Sequence, residues 1–408
     1  MKVLMANTFH YRRGGDATSA FATTRLLEQS GHTVIPIAMR HPQNEPSVWE
    51  RWFLPGIDYR QSRVGLSMAH RIPQMIWNKQ AYRTTSQLIQ TTRPDLLHAH
   101  HVHRHLTPSV IEAAHRAGLP VVWTVHDYEL ICPQGHLFSK GETCEKCRGH
   151  RYHHAVVRQC KWGKPIPSLL ASLEKAIHRL RGVWSLVDRF LCPSMFLAEK
   201  LISFGVPESR VFHLPNCMEV PQALPKPGNF HTSGWCVAGR LSREKGIDIA
   251  IEAARLLPDH KLTICGDGPE EQSLRQLARD CQNVQFTGHL PASKLRRVLE
   301  RSSLVAVPSR WFENQPYAVL EAQMMGRPVV ASDIGGIPEL IQHNQDGMLI
   351  PPANPRALAQ AVQFVLENPE KAVSMGLSSQ ERIVRERTMG QHRDALLDHY
   401  QAAINKNR

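Results

Sequence analysis

Residues 304–336 read LVAVPSRWFENQPYAVLEAQMMGRPVVASDIGG. A short apolar run ends in Pro308-Ser309, a polar loop carries Glu313, and helical spacing begins near Tyr317 with Glu321 in its second turn. A second apolar run, 328–331, ends in Gly335-Gly336. Strand, loop, helix and strand in that order is the rhythm of an α/β domain. Two carboxylates eight residues apart, one in the loop and one in the helix, can both face a ligand at that helix's N-terminus. Free N–H groups and the positive end of the helix dipole suit such a terminus to phosphate.

The same rhythm runs along most of the chain. An apolar strand at 2–8 leads through FHYRRGGD into a helix at 17–29, which Gly31 stops before a strand at 32–39. Gly14-Gly15 ahead of that helix reads either as a phosphate cradle or as a plain tight turn. A strand at 96–100, a helix at 108–117 and a strand at 120–125 follow, ending in His126-Asp127. Ligands of open α/β sheets lie beyond the carboxyl ends of the strands, where His126 falls. After 220 the pattern repeats. Strand 235–238 leads to GRLSREKG (239–246), strand 261–265 to GDGP (266–269), and strand 284–287 to Gly288-His289-Leu290. Between the two halves PQALPKPGN (221–229) has linker composition. At 408 residues the chain is long for one core. The expected organisation is a first α/β domain over 1–220, a linker at 221–229, a second domain over 230–385 and a helical segment over 386–408. The two would face a shared cleft.

The net charge of +13 sits mainly in the first half: residues 1–220 hold 27 Lys/Arg against 16 Asp/Glu, and 221–408 hold 22 against 20. A basic half suits nucleic acid, an anionic membrane or a phosphorylated substrate. Nothing resembles a nucleic-acid motif, so no nucleic-acid partner is expected. Between Arg51 and Arg83, six Lys/Arg and one acid are interleaved with Trp52, Phe53, Met68, Met75, Ile76 and Trp77. That mixture reads as a surface against anionic lipid or a lipid-linked acceptor, or as helices with a solvated basic rim. No apolar run is long enough to span a bilayer, and MKVLMANT is too quickly polar for a signal peptide. The expected location is the cytoplasm, with peripheral contact to the inner face of the membrane.

Between 128 and 165 the α/β rhythm breaks, and Cys132, Cys144, Cys147 and Cys160 occur as C-x11-C-x2-C-x12-C. This spacing admits a structural zinc site, reduced thiols, disulfides or an Fe–S site. The five other cysteines lie in or beside apolar runs and read as small buried hydrophobes. The histidines at 98, 100, 101, 103 and 105 follow a strand end and loop without a cysteine or acid among them, so they do not read as a metal site.

GRLSREKG, GDGP, the E-x7-E of ENQPYAVLE, and SDIGGIPELI with DGMLI behind it resemble the family 4 retaining glycosyltransferases, over nearly the whole chain. HDY-x3-CP with the cysteine insertion resembles a bacterial surface-polysaccharide subgroup. The resemblance implies the GT-B fold, two Rossmann-like domains facing a central cleft with the C-terminal helix returning to the first. It implies transfer of a sugar from an NDP-sugar to a saccharide or lipid-linked saccharide, with no catalytic cofactor. By the same resemblance Arg240 and Lys245 would clamp the donor diphosphate and Glu321 would hold the ribose. Glu313 with Asn314, Gln315, Pro316, Tyr317 and Ala318 would face the sugar and β-phosphate. His126 would meet the sugar, Gly14 and Gly15 would approach the diphosphate, and Leu290 would border the donor. The chain departs from the commoner family loop by carrying Asn314-Gln315-Pro316 after the first Glu, which bears on sugar preference. A sugar-nucleotide epimerase and a silent nucleotide-sugar-binding subunit are the alternative functions.

Overall fold

The computed structural model describes residues 1–56, 72–221, 223–225 and 234–406. Much of the 221–229 linker, and Asp58, Arg60, Arg63, Met68 and Arg71 of the basic stretch, lie outside the described residues. The chain divides into two compact units. One comprises Met1–His136, Glu145–Pro215 and His392–Arg408, the other Leu137–Cys144 and Asn216–Gln391.

The first unit is built on β1 (Lys2–Ala6), β2 (Thr33–Ile37), β3 (Leu96–Ala99) and β4 (Val121–Thr124). A hairpin, β5 (Phe138–Ser139) and β6 (Glu142–Thr143), clusters with the second unit, and β7 (Arg189–Cys192) and β8 (Val211–His213) complete the first sheet. Its order is β2-β1-β3-β4-β7-β8, parallel throughout. Parallel strands joined by helices are covered on both faces, which is why these strands are short apolar runs rather than alternating ones. The strand order reverses between β1 and β3, so a crevice opens at their carboxyl ends. The C-terminal helix Met389–Lys406 buries Leu396, Tyr400 and Ala403 against Val3, Leu96, Val122 and Leu191. It thus belongs to the first sheet's core, as the resemblance implied.

The second unit carries β9 (Trp235–Ala238), β10 (Leu262–Cys265), β11 (Val284–Gly288), β12 (Leu304–Val307), β13 (Val329–Ser332) and β14 (Gly347–Ile350). Its parallel order, β11-β10-β9-β12-β13-β14, winds outward from the centre in both directions. The side-chain period of two sorts the core. Trp235 and Val237 pack on one face with Ile251, Leu358 and Val362, while Cys236 packs on the other with Val319, Leu320 and Ile383. The reversal falls between β9 and β12, and the loops leaving those two strands carry the Arg240/Lys245 and Glu313 motifs.

Candidate active site

In the second unit the loop after β9 runs through Gly239-Arg240 into a 3-10 turn, Arg243–Lys245, and then the helix Ile247–Arg255. Gly246 links the two at φ +66°, and a Cβ there would lie 2.0 Å from the Pro308 carbonyl oxygen. Only glycine lets the β9 loop sit this closely on the end of β12. The result is an ion pair: Lys245 Nζ donates to Glu313 Oε1 at 2.7 Å, and Ser309 Oγ donates to the same oxygen at 2.6 Å. Burial alone would push Glu313 up. The Lys245 charge and the hydrogen bonds from Lys245 and Ser309 outweigh it and hold the carboxyl below the ordinary range. Lys245 also sits 5.3 Å from the Trp311 ring centre. Gly336 N–H donates to the Glu313 carbonyl at 2.8 Å, so the Gly335-Gly336 turn after β13 fixes that residue's backbone.

Arg240 is exposed. Glu321, in the helix Tyr317–Met324, is pushed by burial up to about 7. Two carboxylates of one motif are thus driven in opposite directions, Glu313 fully paired and Glu321 without an ion-pair partner among the described residues. Pro316 caps the helix in extended conformation, leaving the N–H groups of Tyr317 and Ala318 in its first turn. Asn314 is half-buried beside them. Gln315 Oε1 accepts from the Asn216 backbone N–H at 2.5 Å, tying the loop to the start of the unit. Leu290 follows the edge strand β11.

In the first unit the helix Gly15–Gln29 starts two residues earlier than the sequence pattern suggests, so Gly15 lies in its first turn with Gly14 as cap. Gly14 is extended, at φ 174°. No left-handed turn demands glycine there. His126 follows β4, and its Nε2 meets His100 Nδ1 at 2.9 Å with near-parallel rings. His98, two residues before His100, meets Tyr400 Oη at 2.6 Å and Thr124 Oγ1 at 2.8 Å. Burial pushes His98 down to about 3 and lowers His100 and His126 too, so these imidazoles are neutral near pH 7. One hydrogen bond shared by two neutral rings couples their tautomers, since one must donate and the other accept, and His100 is therefore a positioning residue for His126.

Sequence reasoning passed over Asp16: burial lowers both His101 and His126, and the Asp16 carboxylate in the first helical turn partly opposes it. It also passed over Glu129, which pairs with Arg104 and His101 below the His126 loop. Glu129 falls at an unspecified position of HDY-x3-CP and Asp16 closes FHYRRGGD, so neither stood out by residue type. His101, Asp127 and Glu129 are the one group among the described residues with ligand atoms spaced for a metal ion, but Arg104 already supplies a cation to Glu129.

All nine cysteines are free thiols. In the first unit Cys147 and Cys160 pack with Tyr152 and Ala155, and Cys132 lies close enough to Tyr152 to help raise its hydroxyl to about 12, after burial and against Arg179. Cys132, Cys147 and Cys160 do not close to metal-ligand spacing, and Cys144 belongs to the other unit's cluster.

Two doubly wound parallel sheets, with a paired Lys and Glu at the strand reversal of the second, are those of a GT-B protein. A family model described as Glycosyltransferase Family 4 matches residues 13–220, and one described as Glycosyl transferases group 1 matches 235–382. The chain belongs to Glycosyltransferase Family 4. A Klebsiella pneumoniae protein, described as an uncharacterized 42.6 kDa protein in the cps region, is 26% identical over 83% of this chain and 87% of its own length. The alpha-D-kanosaminyltransferase of Streptomyces kanamyceticus is 35% identical over 32% of this chain. This chain spans only 36% of that protein and 19% and 39% of two further curated relatives. Among solved structures, Anabaena HepE in complex with UDP and glucose matches with a TM-score of 0.67 at 16% identity, over 98% of this chain and all of that one. No helix of the described residues is long and apolar enough to cross a membrane.

Proposed function

We propose that this chain transfers a glycosyl residue from an NDP-sugar to an acceptor hydroxyl, with retention at the anomeric carbon and without a catalytic metal. The observation that carries the reading is the Lys245–Glu313 pair beside exposed Arg240 at the strand reversal of the second sheet. The Lys245 cation held there, with the exposed Arg240 guanidinium, supplies what a departing diphosphate needs, and a metal would duplicate them. In the step proposed, the bond from the anomeric carbon to the phosphate oxygen breaks as the acceptor oxygen attacks the same face. The acceptor proton passes to the leaving phosphate oxygen. Glu313 is committed to Lys245 and Ser309, so it positions the lysine and is not a nucleophile. His126, neutral and held by His100, is suited to hydrogen-bond an uncharged hydroxyl.

The Klebsiella relative's cps region and the Anabaena structure's UDP and glucose favour a bacterial polysaccharide acceptor, free or lipid-linked, and a uridine nucleotide donor. Peripheral attachment to the inner membrane face belongs to the same reading. The test is a panel of UDP-, GDP- and ADP-sugars followed by NMR for nucleotide release and for the anomer of the sugar first released. Retention gives the donor's own anomer. Epimerised donor without nucleotide release would replace transfer with epimerisation.

Glu321 adds a pH dependence. Its folded-state pKa, about 7, lies above its ordinary value. The unliganded fold therefore keeps a proton that the unfolded chain has lost, and this contribution to stability disappears as pH rises through about 7. Ribose hydroxyls donating to the carboxylate favour the ionised form, so donor binding has the opposite sign. Affinity for an NDP-sugar, which titrates nothing between pH 6 and 8, is expected to rise by roughly tenfold across that window, and Glu321→Gln should flatten it. Calorimetry at the two pH values checks this.

A further inference from the structure

The helix Pro165–Leu180 is inside out. It buries Ser168, Ala171, Ser172, Glu174, Lys175 and His178, and it leaves Ile166 65% and Leu180 86% exposed, with Leu169 and Leu173 also exposed between them. At 3.6 residues per turn the four exposed side chains fall within an arc of roughly 60° along a helix about 24 Å long. A helix packed for water alone would show the reverse. Val157 and Trp162, just ahead of it in sequence, are 75% and 67% exposed. Six of the twelve large apolar residues exposed among the described residues thus fall within 157–180, a concentration that scattered surface apolar residues do not produce.

The charge around this stripe is one-sided. From 146 to 187 there are nine Lys/Arg and a single acid, Glu174, which is buried against Lys175. That segment accounts for eight of the eleven excess positive charges of residues 1–220. Lys146, Arg148, Arg151, Lys164, Arg179 and Arg181 are all exposed.

We propose that this helix, with Val157 and Trp162, is a docking surface that lies in the headgroup region of an anionic lipid bilayer. An apolar helix face rimmed by Lys and Arg, with a tryptophan at its edge, matches an interfacial amphipathic helix. A second copy of the chain is the poorer occupant, because a symmetric contact would bring two strongly positive rims together without an exposed acid to offset them. The proposal deepens the membrane part of the functional reading and stands apart from its donor chemistry. It concerns 157–180 and is separate from the 51–83 stretch, part of which lies outside the described residues.

The experiment is co-sedimentation of the full chain with phosphatidylcholine vesicles, alone or containing about a third phosphatidylglycerol, at low and high salt. Wild type is expected to partition onto the anionic vesicles and to be released by salt. Ile166→Ser/Leu169→Ser/Leu173→Ser is expected to weaken that partitioning at least about tenfold. Lys146→Glu/Lys164→Glu should weaken binding to anionic vesicles only. Neither should change the melting temperature or donor hydrolysis in solution, since these side chains face outward. Wild-type partitioning by the triple variant would overturn the proposal. So would absence of wild-type binding to anionic vesicles, or a wild-type dimer that the triple variant converts to monomer. A wild type that binds vesicles but turns over no sugar nucleotide would support the surface and remove the transferase reading.

Discussion

Lys245→Ala is expected to lower kcat/KM at least about 100-fold, a loss of roughly 3 kcal/mol of transition-state stabilisation. The reason is that the ammonium is fixed before the reaction. It hangs from a 3-10 turn held against Pro308 by Gly246, and Glu313 and the Trp311 ring fix its head. A pre-placed cation requires no rearrangement as charge develops on the leaving diphosphate. The same substitution carries a stability effect, because it leaves Glu313, only 5% exposed at its side chain, without its counter-ion. Breaking one side of a buried pair typically costs a few kcal/mol, and Ser309 remains to offset part of it, so about 1–3 kcal/mol is expected here. The double variant Lys245→Ala/Glu313→Gln separates the two effects. Removing the orphaned charge should restore much of the stability and none of the activity, as denaturant titration and steady-state kinetics would show.

Gly335→Ala, a single added methyl, should be strongly damaging. Gly335 has φ +64°, and a Cβ there would lie 2.3 Å from the Glu313 carbonyl oxygen and 2.7 Å from its nitrogen. Both neighbours are backbone, so relief requires moving the segment that holds Glu313, and with it the Lys245 contact. Left-handed strain and the clash together are expected to remove at least about 3 kcal/mol. For a unit of this size that lowers its melting temperature by about 6–12 °C. Activity should fall more than the melting loss alone explains, because residual folded protein would carry a displaced Glu313. Gly14→Ala is the control for stability: its backbone is extended, the nearest atom to an added Cβ is the Asp16 carboxylate at 3.2 Å, and melting should be close to wild type.

The sequence made the strand rhythm legible because parallel strands buried on both faces are written as short apolar runs, and β3, β4, β9 and β12 stand where such runs occur. The second unit's site was legible for a related reason. Lys245, Glu313 and Glu321 lie in contiguous motifs at the ends of strands that the winding of the sheet brings side by side. What escaped was whatever depends on contact across long sequence separations. His98 meets Tyr400 across 302 positions, and no local pattern announces that pair. Nothing local announces that the Gln315 side-chain carbonyl meets the Asn216 backbone N–H, 99 residues earlier. The helix Pro165–Leu180 showed the same limit. Its periodicity marks an apolar face, and periodicity cannot say whether that face points in or out.

The proposed role of the second unit's Lys245–Glu313 site is to activate an NDP-sugar for transfer. Nucleotide release from a panel of UDP-, GDP- and ADP-sugars, by wild type and Lys245→Ala side by side, tests it most directly. Wild type is expected to release nucleotide from at least one donor, reduced about 100-fold or more in the variant. Release at equal rates by the two proteins would contradict it, as would a wild type that binds and turns over none of the donors.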